Sequence, residues 1–110
     1  MRNISVISAA KIEQEDLKAF VLAQDGRWDR SLDLQQGVIE KEHAAVFLSI
    51  SNDFSEYEPD EWVEFVERSN GRDPCTIISI EASSRRGSME MAERIAESLV
   101  DVYGWFIDRD

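Results

Sequence analysis

Seven carboxylates lie between Asn52 and Glu67 with no base among them: Asp53, Glu56, Glu58, Asp60, Glu61, Glu64 and Glu67. Such a density of acids can hold a cation, carry out acid–base hydrolysis or face a positively charged partner. The run from Asp53 to Pro59 has the oxygen ligands of a calcium loop, but lacks its glycine and its terminal glutamate spacing. No metal is therefore assigned. Hydrolysis by paired carboxylates needs a defined separation and one perturbed acid, and neither follows from spacing. Part of the cluster has a simple structural reading. Acids near a helix N-terminus stabilise it by about 0.3–1 kcal/mol each, and Glu64 is four residues before Arg68, the distance of an ion pair. That reading accounts for Glu58, Asp60, Glu61 and Glu64, but leaves Asp53, Glu56 and Glu67. Phe54, Tyr57 and Trp62 are interleaved with the acids, a pattern suited to an interface where charge steers encounter and aromatics supply affinity. The candidate partner-binding residues are thus Asp53, Glu56, Tyr57, Glu58, Asp60, Glu61 and Glu64.

The locally basic element is the turn Ser83-Ser84-Arg85-Arg86-Gly87-Ser88, set between a strand pattern and a helix pattern. Exposed N–H groups at a helix start, together with Arg85, Arg86 and Ser88, make it a candidate for a small anion. The turn matches neither a Walker motif nor a dinucleotide fingerprint, and its arginines can equally pair with the chain's own acids. His43 has no Ser, Cys or Asp at a recognisable catalytic spacing and reads as a strand-start residue. Cys75 reads as a small buried hydrophobe. A second acidic row, Glu93, Glu97 and Asp101, repeats every four residues, with Glu90 and Arg94 a compensating pair beside it. No catalytic constellation emerges, so the expectation is a non-enzymatic protein without a cofactor.

Composition narrows the classes further. Twenty-three acids against twelve bases leave a formal charge of −11, which disfavours direct contact with nucleic acid and favours a basic protein as partner. The 110 residues suit one domain, 1–110, able to bury about two thirds of its unfolded surface. No long apolar run suggests a membrane span, and the N-terminal apolar segment is too short for a secretory signal. With a single cysteine, which cannot form an internal disulfide, the cytoplasm is the expected compartment.

The elements that must position these residues can be read from periodicity. Asn3–Ser8 alternates as a strand, and residues 11–24 carry Ile12, Leu17, Phe20 and Val21 on a helical stripe ending near Asp25-Gly26. Trp28 follows in a charged turn, where it is read as a lid over the core or an exposed contact. A strand with one wet face follows over 31–39, through Leu32 and Leu34, with Gln36-Gly37 a place for a bulge. After a turn at 40–42, residues 43–51 place Ala44, Val46, Leu48 and Ile50 on one face and Ala45 and Phe47 on the other.

Pro59 opens a second helix, with Trp62, Val63 and Val66 facing inward and Asn70-Gly71 as its left-handed stop. Residues 75–81 have β-branched Ile77, Ile78 and Ile80 on both faces, the pattern of a central strand neighbouring 43–51. Ser88 is placed to cap a third helix that buries Ala92, Ile95, Ala96, Leu99, Val102 and Tyr103 and stops at Gly104. Trp105-Phe106-Ile107 reads as a last strand, able to pair with another copy if it lies at an edge.

The order is β-α-β-β-α-β-α-β, an α+β class with a mainly antiparallel sheet and helices on one face. Its first six elements suggest a split βαβ, ferredoxin-like core with a C-terminal αβ extension; another α+β sheet order is the alternative.

In small size, acidity, α+β order and absence of catalytic groups, the whole chain resembles the immunity proteins of bacterial polymorphic toxin systems, including contact-dependent growth inhibition. The resemblance implies a protein that neutralises a cognate cationic toxin domain, often a nuclease, by masking its active site or substrate surface. It would make the acids of 53–67 stand-ins for substrate phosphates, with Tyr57 and Trp28 as anchors.

Overall fold

In a computed structural model, described for residues 2–31, 34–103 and 106–109, six strands form one sheet in the order β2-β3-β4-β5-β1-β6. Along the chain they are β1 (Arg2–Ser8), α1 (Gln14–Ala23), β2 (Arg27–Ser31), β3 (Leu34–Lys41), β4 (Ala44–Ser51), α2 (Pro59–Arg68), β5 (Thr76–Ala82), α3 (Ser88–Tyr103) and β6 (Phe106–Arg109). Every neighbouring pair is antiparallel. The α+β class and the order of elements are those the periodicity predicts, with β2 added. Trp28 lies in that extra strand rather than in a turn, paired with Gly37. Leu32, Gly104 and Trp105 lie outside the described residues, as do the side chains of Leu34 and Tyr103.

A split βαβ unit is present, but its place in the chain differs from expectation. β5 and β6 each run antiparallel to β1, which lies between them, so they are parallel to one another and joined by α3. The first six elements do not form this unit. β1 has apolar residues on both faces, Ile4 and Val6 on one and Ile7 on the other, and a strand of that kind is best enclosed by strands on both sides.

Register explains the layers. Ile4 faces Ile80, Val6 faces Ile78, and Leu48 faces Ile80 from β4. This face is covered by Leu17, Phe20 and Val21 of α1 and by Met91, Ala92, Ile95, Ala96 and Leu99 of α3, forming the main core. Ile7 and Ile77 sit opposite each other on the other face, where Phe65 of α2 covers them in a second, smaller core. The helices are therefore not all on one side. α2 crosses to the reverse face because two buried isoleucines there need an apolar cover.

Helix termini explain several boundary shifts. α1 begins at Gln14 because Glu13 and Asp16 form a reciprocal capping box: each side chain accepts the other's backbone N–H. α2 begins the same way, with Glu58 and Glu61 exchanging bonds just before and after Pro59. Asn70 and Gly71 take the expected left-handed conformation, at φ 59° and 84°, and the Gly71 N–H donates to the Val66 carbonyl at 2.9 Å.

Gln36-Gly37 forms no bulge, since the ladder runs through Gly37 to Trp28 on one side and Leu48 on the other. In α3, Val102 is 64 % exposed rather than buried as its spacing predicts, while Met91 joins the core. Among the described residues, no helix is long and apolar enough to cross a membrane.

Candidate functional site

The loop before α2 and the helix itself carry the acid cluster. The Asp53 carboxylate accepts the Ser55 N–H at 2.9 Å, and this bond, with a second from the Ser55 side chain, holds it below the usual carboxylate range. Glu58 and Glu61 are occupied in the capping box. These three acids organise the local backbone. Glu64 lies 3.9 Å from Arg68, whose guanidinium also donates to the Ile107 carbonyl of β6 at 3.1 Å.

The remaining acids share a side. With one residue about every 100° around a helix, Asp60, Glu64 and Glu67 fall within about 60° of one another, on the side away from Phe65. All three are exposed, as is Glu56 in the loop. Val63 is the apolar member of this outward face, 56 % exposed rather than turned inward.

The aromatics have a different task from the one their interleaving suggests. Phe54 meets Trp62 edge-on at 5.4 Å and Tyr57 at 5.9 Å, and Tyr57 meets Phe65 edge-on at 5.0 Å. Phe54 and Tyr57 pack against the Ile7, Phe65 and Ile77 cluster. They are the internal brace that fixes α2 on the sheet. Trp28 is remote from them: it packs on the main core under the opposite face, in the edge strand β2, with its indole N–H donating to the Gln35 side chain at 3.4 Å. The structure thus groups Asp53, Glu56, Glu58, Asp60, Glu61 and Glu64 and leaves Trp28 outside the group.

At the 83–88 turn the expected ligands part company. Ser88 is fully buried, and its hydroxyl accepts the Ala45 N–H at 3.0 Å while bonding to the Ser83 hydroxyl at 2.7 Å. It is the first residue of α3 and ties that helix to β4, rather than capping it or facing a ligand. Arg85 lies 3.6 Å from Glu40, which Arg27 also grips. The Arg27 hydrogen bond first, then its charge, with a smaller contribution from Arg85, lowers the Glu40 pKa.

Arg86 instead lines a concavity of about 440 Å³ between the β3–β4 turn and the start of α3, together with Lys41, Glu42, His43 and Arg94. Among the described residues, the anticipated Glu90–Arg94 ion pair is not formed within 4.0 Å. No sequence spacing announced this group, because Lys41, Arg86 and Arg94 come from a strand end, a loop and a helix.

Cys75 is half-buried ahead of β5 rather than in the core, and its N–H donates to the Ser8 carbonyl at 2.7 Å. Among the described residues, no three His, Cys, Asp or Glu side chains converge as a metal site. Compared with protein-family models, with curated proteins and with solved structures, the chain matches none.

Proposed function

We propose that this chain is a protein-binding module that offers the outward side of α2 to a cationic protein and performs no chemistry of its own, in the manner of a toxin-neutralising immunity protein. One observation carries the reading: Asp60, Glu64 and Glu67 fall within about 60° of one another on the exposed side of α2, turned about 100–160° from its only buried residue, Phe65, with Arg68 beside Glu64 as their one near base. Like charges this close repel by about 0.2–0.5 kcal/mol per pair in an isolated helix, and a positively charged surface relieves that repulsion. The partner that fits is a basic domain, such as a nuclease toxin met in the cytoplasm, whose phosphate-binding surface the carboxylates would occupy. Val63 supplies apolar contact at the edge of the acidic side, next to Glu67. Tyr57 and Phe54 contribute by bracing the helix against the sheet, so that little ordering is left to be done on binding.

The test uses the protein encoded by the neighbouring reading frame, titrated with the wild-type chain and with a variant carrying E56K, D60K, E64K and E67K. The expected result is a slower association for the variant and a loss of its salt dependence, with an unchanged circular dichroism spectrum. Equal association rates at low salt would remove the α2 face from consideration.

A further inference from the structure

The basic concavity beside α3 is independent of the α2 face and calls for a different kind of ligand. In a chain with nearly two acids per base, Lys41, Arg86 and Arg94 converge on one hollow of about 440 Å³, accompanied by His43 and a single acid, Glu42. Lys11, Arg27, Arg68 and Arg85 each have a carboxylate within 4.0 Å, at 3.8, 2.5, 3.9 and 3.6 Å, whereas, among the described residues, Lys18, Arg30 and Arg72 have none but do not share a hollow with other bases. Among the described residues Lys41, Arg86 and Arg94 have none. Three cations gathered with one acid, Glu42, for counter-charge repel one another, although acids are abundant elsewhere on the surface. An anion in the hollow would reverse that repulsion.

The shape of the hollow refines the ligand. A second concavity of about 160 Å³ shares Lys41, Met91 and Arg94 with the first and adds Ile39 and Ile95 as apolar wall. The two therefore adjoin, the first carrying the charged side chains beside Ala44 and Met91 and the second flanked by buried hydrocarbon. Their size suits a small organic molecule rather than a bare ion.

We propose that this groove binds a small organic phosphate, with its phosphate head among Lys41, Arg86 and Arg94 and its apolar body over Met91, Ile39 and Ile95. A phosphate group carries a charge of about −1.5 to −2 at neutral pH and three acceptor oxygens. Three cations arriving from three elements match that group better than a carboxylate, which one arginine fork can satisfy alone.

Calorimetric titration with phenyl phosphate, inorganic phosphate and benzoate as probes tests the assignment at low salt. Phenyl phosphate should bind saturably and about tenfold or more tighter than either of the others, since both the head and the body are used. R86Q/R94Q should lose about tenfold or more of that affinity, while R85Q, whose arginine is engaged by Glu40, should bind as the wild type. Amide and side-chain NMR shifts on the wild-type protein provide a readout that needs no variant, and should concentrate at Lys41, Arg86, Met91 and Arg94. Shifts spread over all surface cations would overturn the proposal. So would equal binding of the three probes, unchanged affinity in R86Q/R94Q, or the absence of saturable phenyl phosphate binding.

Discussion

Val21 of α1 rests directly on the backbone of Gly37 in β3: a Cβ added to Gly37 would lie 2.5 Å from Val21 Cγ2 and 3.2 Å from its Cγ1. Gly26, at the end of the same helix, is approached by the same side chain, with Val21 Cγ1 2.7 Å from where its Cβ would be. Two glycines and one valine thus set how closely α1 lies on the β2–β3 hairpin. Val21 is short, branched and fully buried, so it cannot swing aside.

Gly37→Ala should therefore destabilise the protein by about 1–3 kcal/mol, the usual cost of overpacking a well-filled core. Adding Val21→Ala should recover part of the loss, because it clears the space the new methyl needs. Urea unfolding of the two single variants and the double variant measures the coupling, and strictly additive effects would dispose of this explanation.

The Ser88 hydroxyl gives a second expectation. In Ser88→Ala the Ala45 N–H loses its acceptor in a buried position, at a cost of about 1–3 kcal/mol. Hydrogen exchange at the Ala45 amide should accelerate along with the fall in stability. An unchanged exchange rate there would mean that another acceptor takes over.

The Glu40 carboxylate, held between Arg27 and Arg85, leads to a pH prediction. Its pKa in the folded chain is below its ordinary value, so the stabilisation it provides is present above the unfolded pKa and fades as pH falls through the lower folded one. The thermal midpoint difference between wild type and Glu40→Gln should accordingly be larger at neutral pH than in acid, and should shrink at high salt because the group is exposed. A difference independent of pH would show that the carboxylate's charge is not what the arginines use.

Much of this architecture could be read from the chain because alternation and helical stripes report burial directly. Ala44, Val46 and Leu48 face the main core as their alternation requires, and Ile77 and Ile78 divide between two faces as expected of a central strand. The features that the sequence does not show depend on partners distant in the chain. Nothing local marks Arg27–Ser31 as a strand, since its pairing comes from residues 34–38. Phe65 was hidden among charges, and its value as a core residue arises only when Ile7 and Ile77 meet. Gln36-Gly37 reads as a place for a bulge because Val21, which explains Gly37, is 16 positions away. The candidate site was legible as a run of acids, but not as a division of labour. Spacing cannot tell a carboxylate committed to a capping box, such as Glu61, from one facing solvent, such as Glu64. The basic groove is the extreme case, assembled from Lys41, Arg86 and Arg94 by the packing of three elements.

The position of β1 between β5 and β6 has a consequence for biosynthesis. It precedes the other five strands in the chain, yet both of its hydrogen-bonding edges are completed by segments beginning at Thr76 and Phe106. Ile4, Val6 and Ile7 must therefore wait, unpaired, until about seventy further residues have been made. Pairings at such long sequence separation are slow to form and leave apolar strands open to wrong neighbours. A nascent chain stalled before Thr76 should depend on chaperone protection around Ile4–Ile7, whereas β2, β3 and β4, which follow one another closely in the chain, have their pairing partners already in reach.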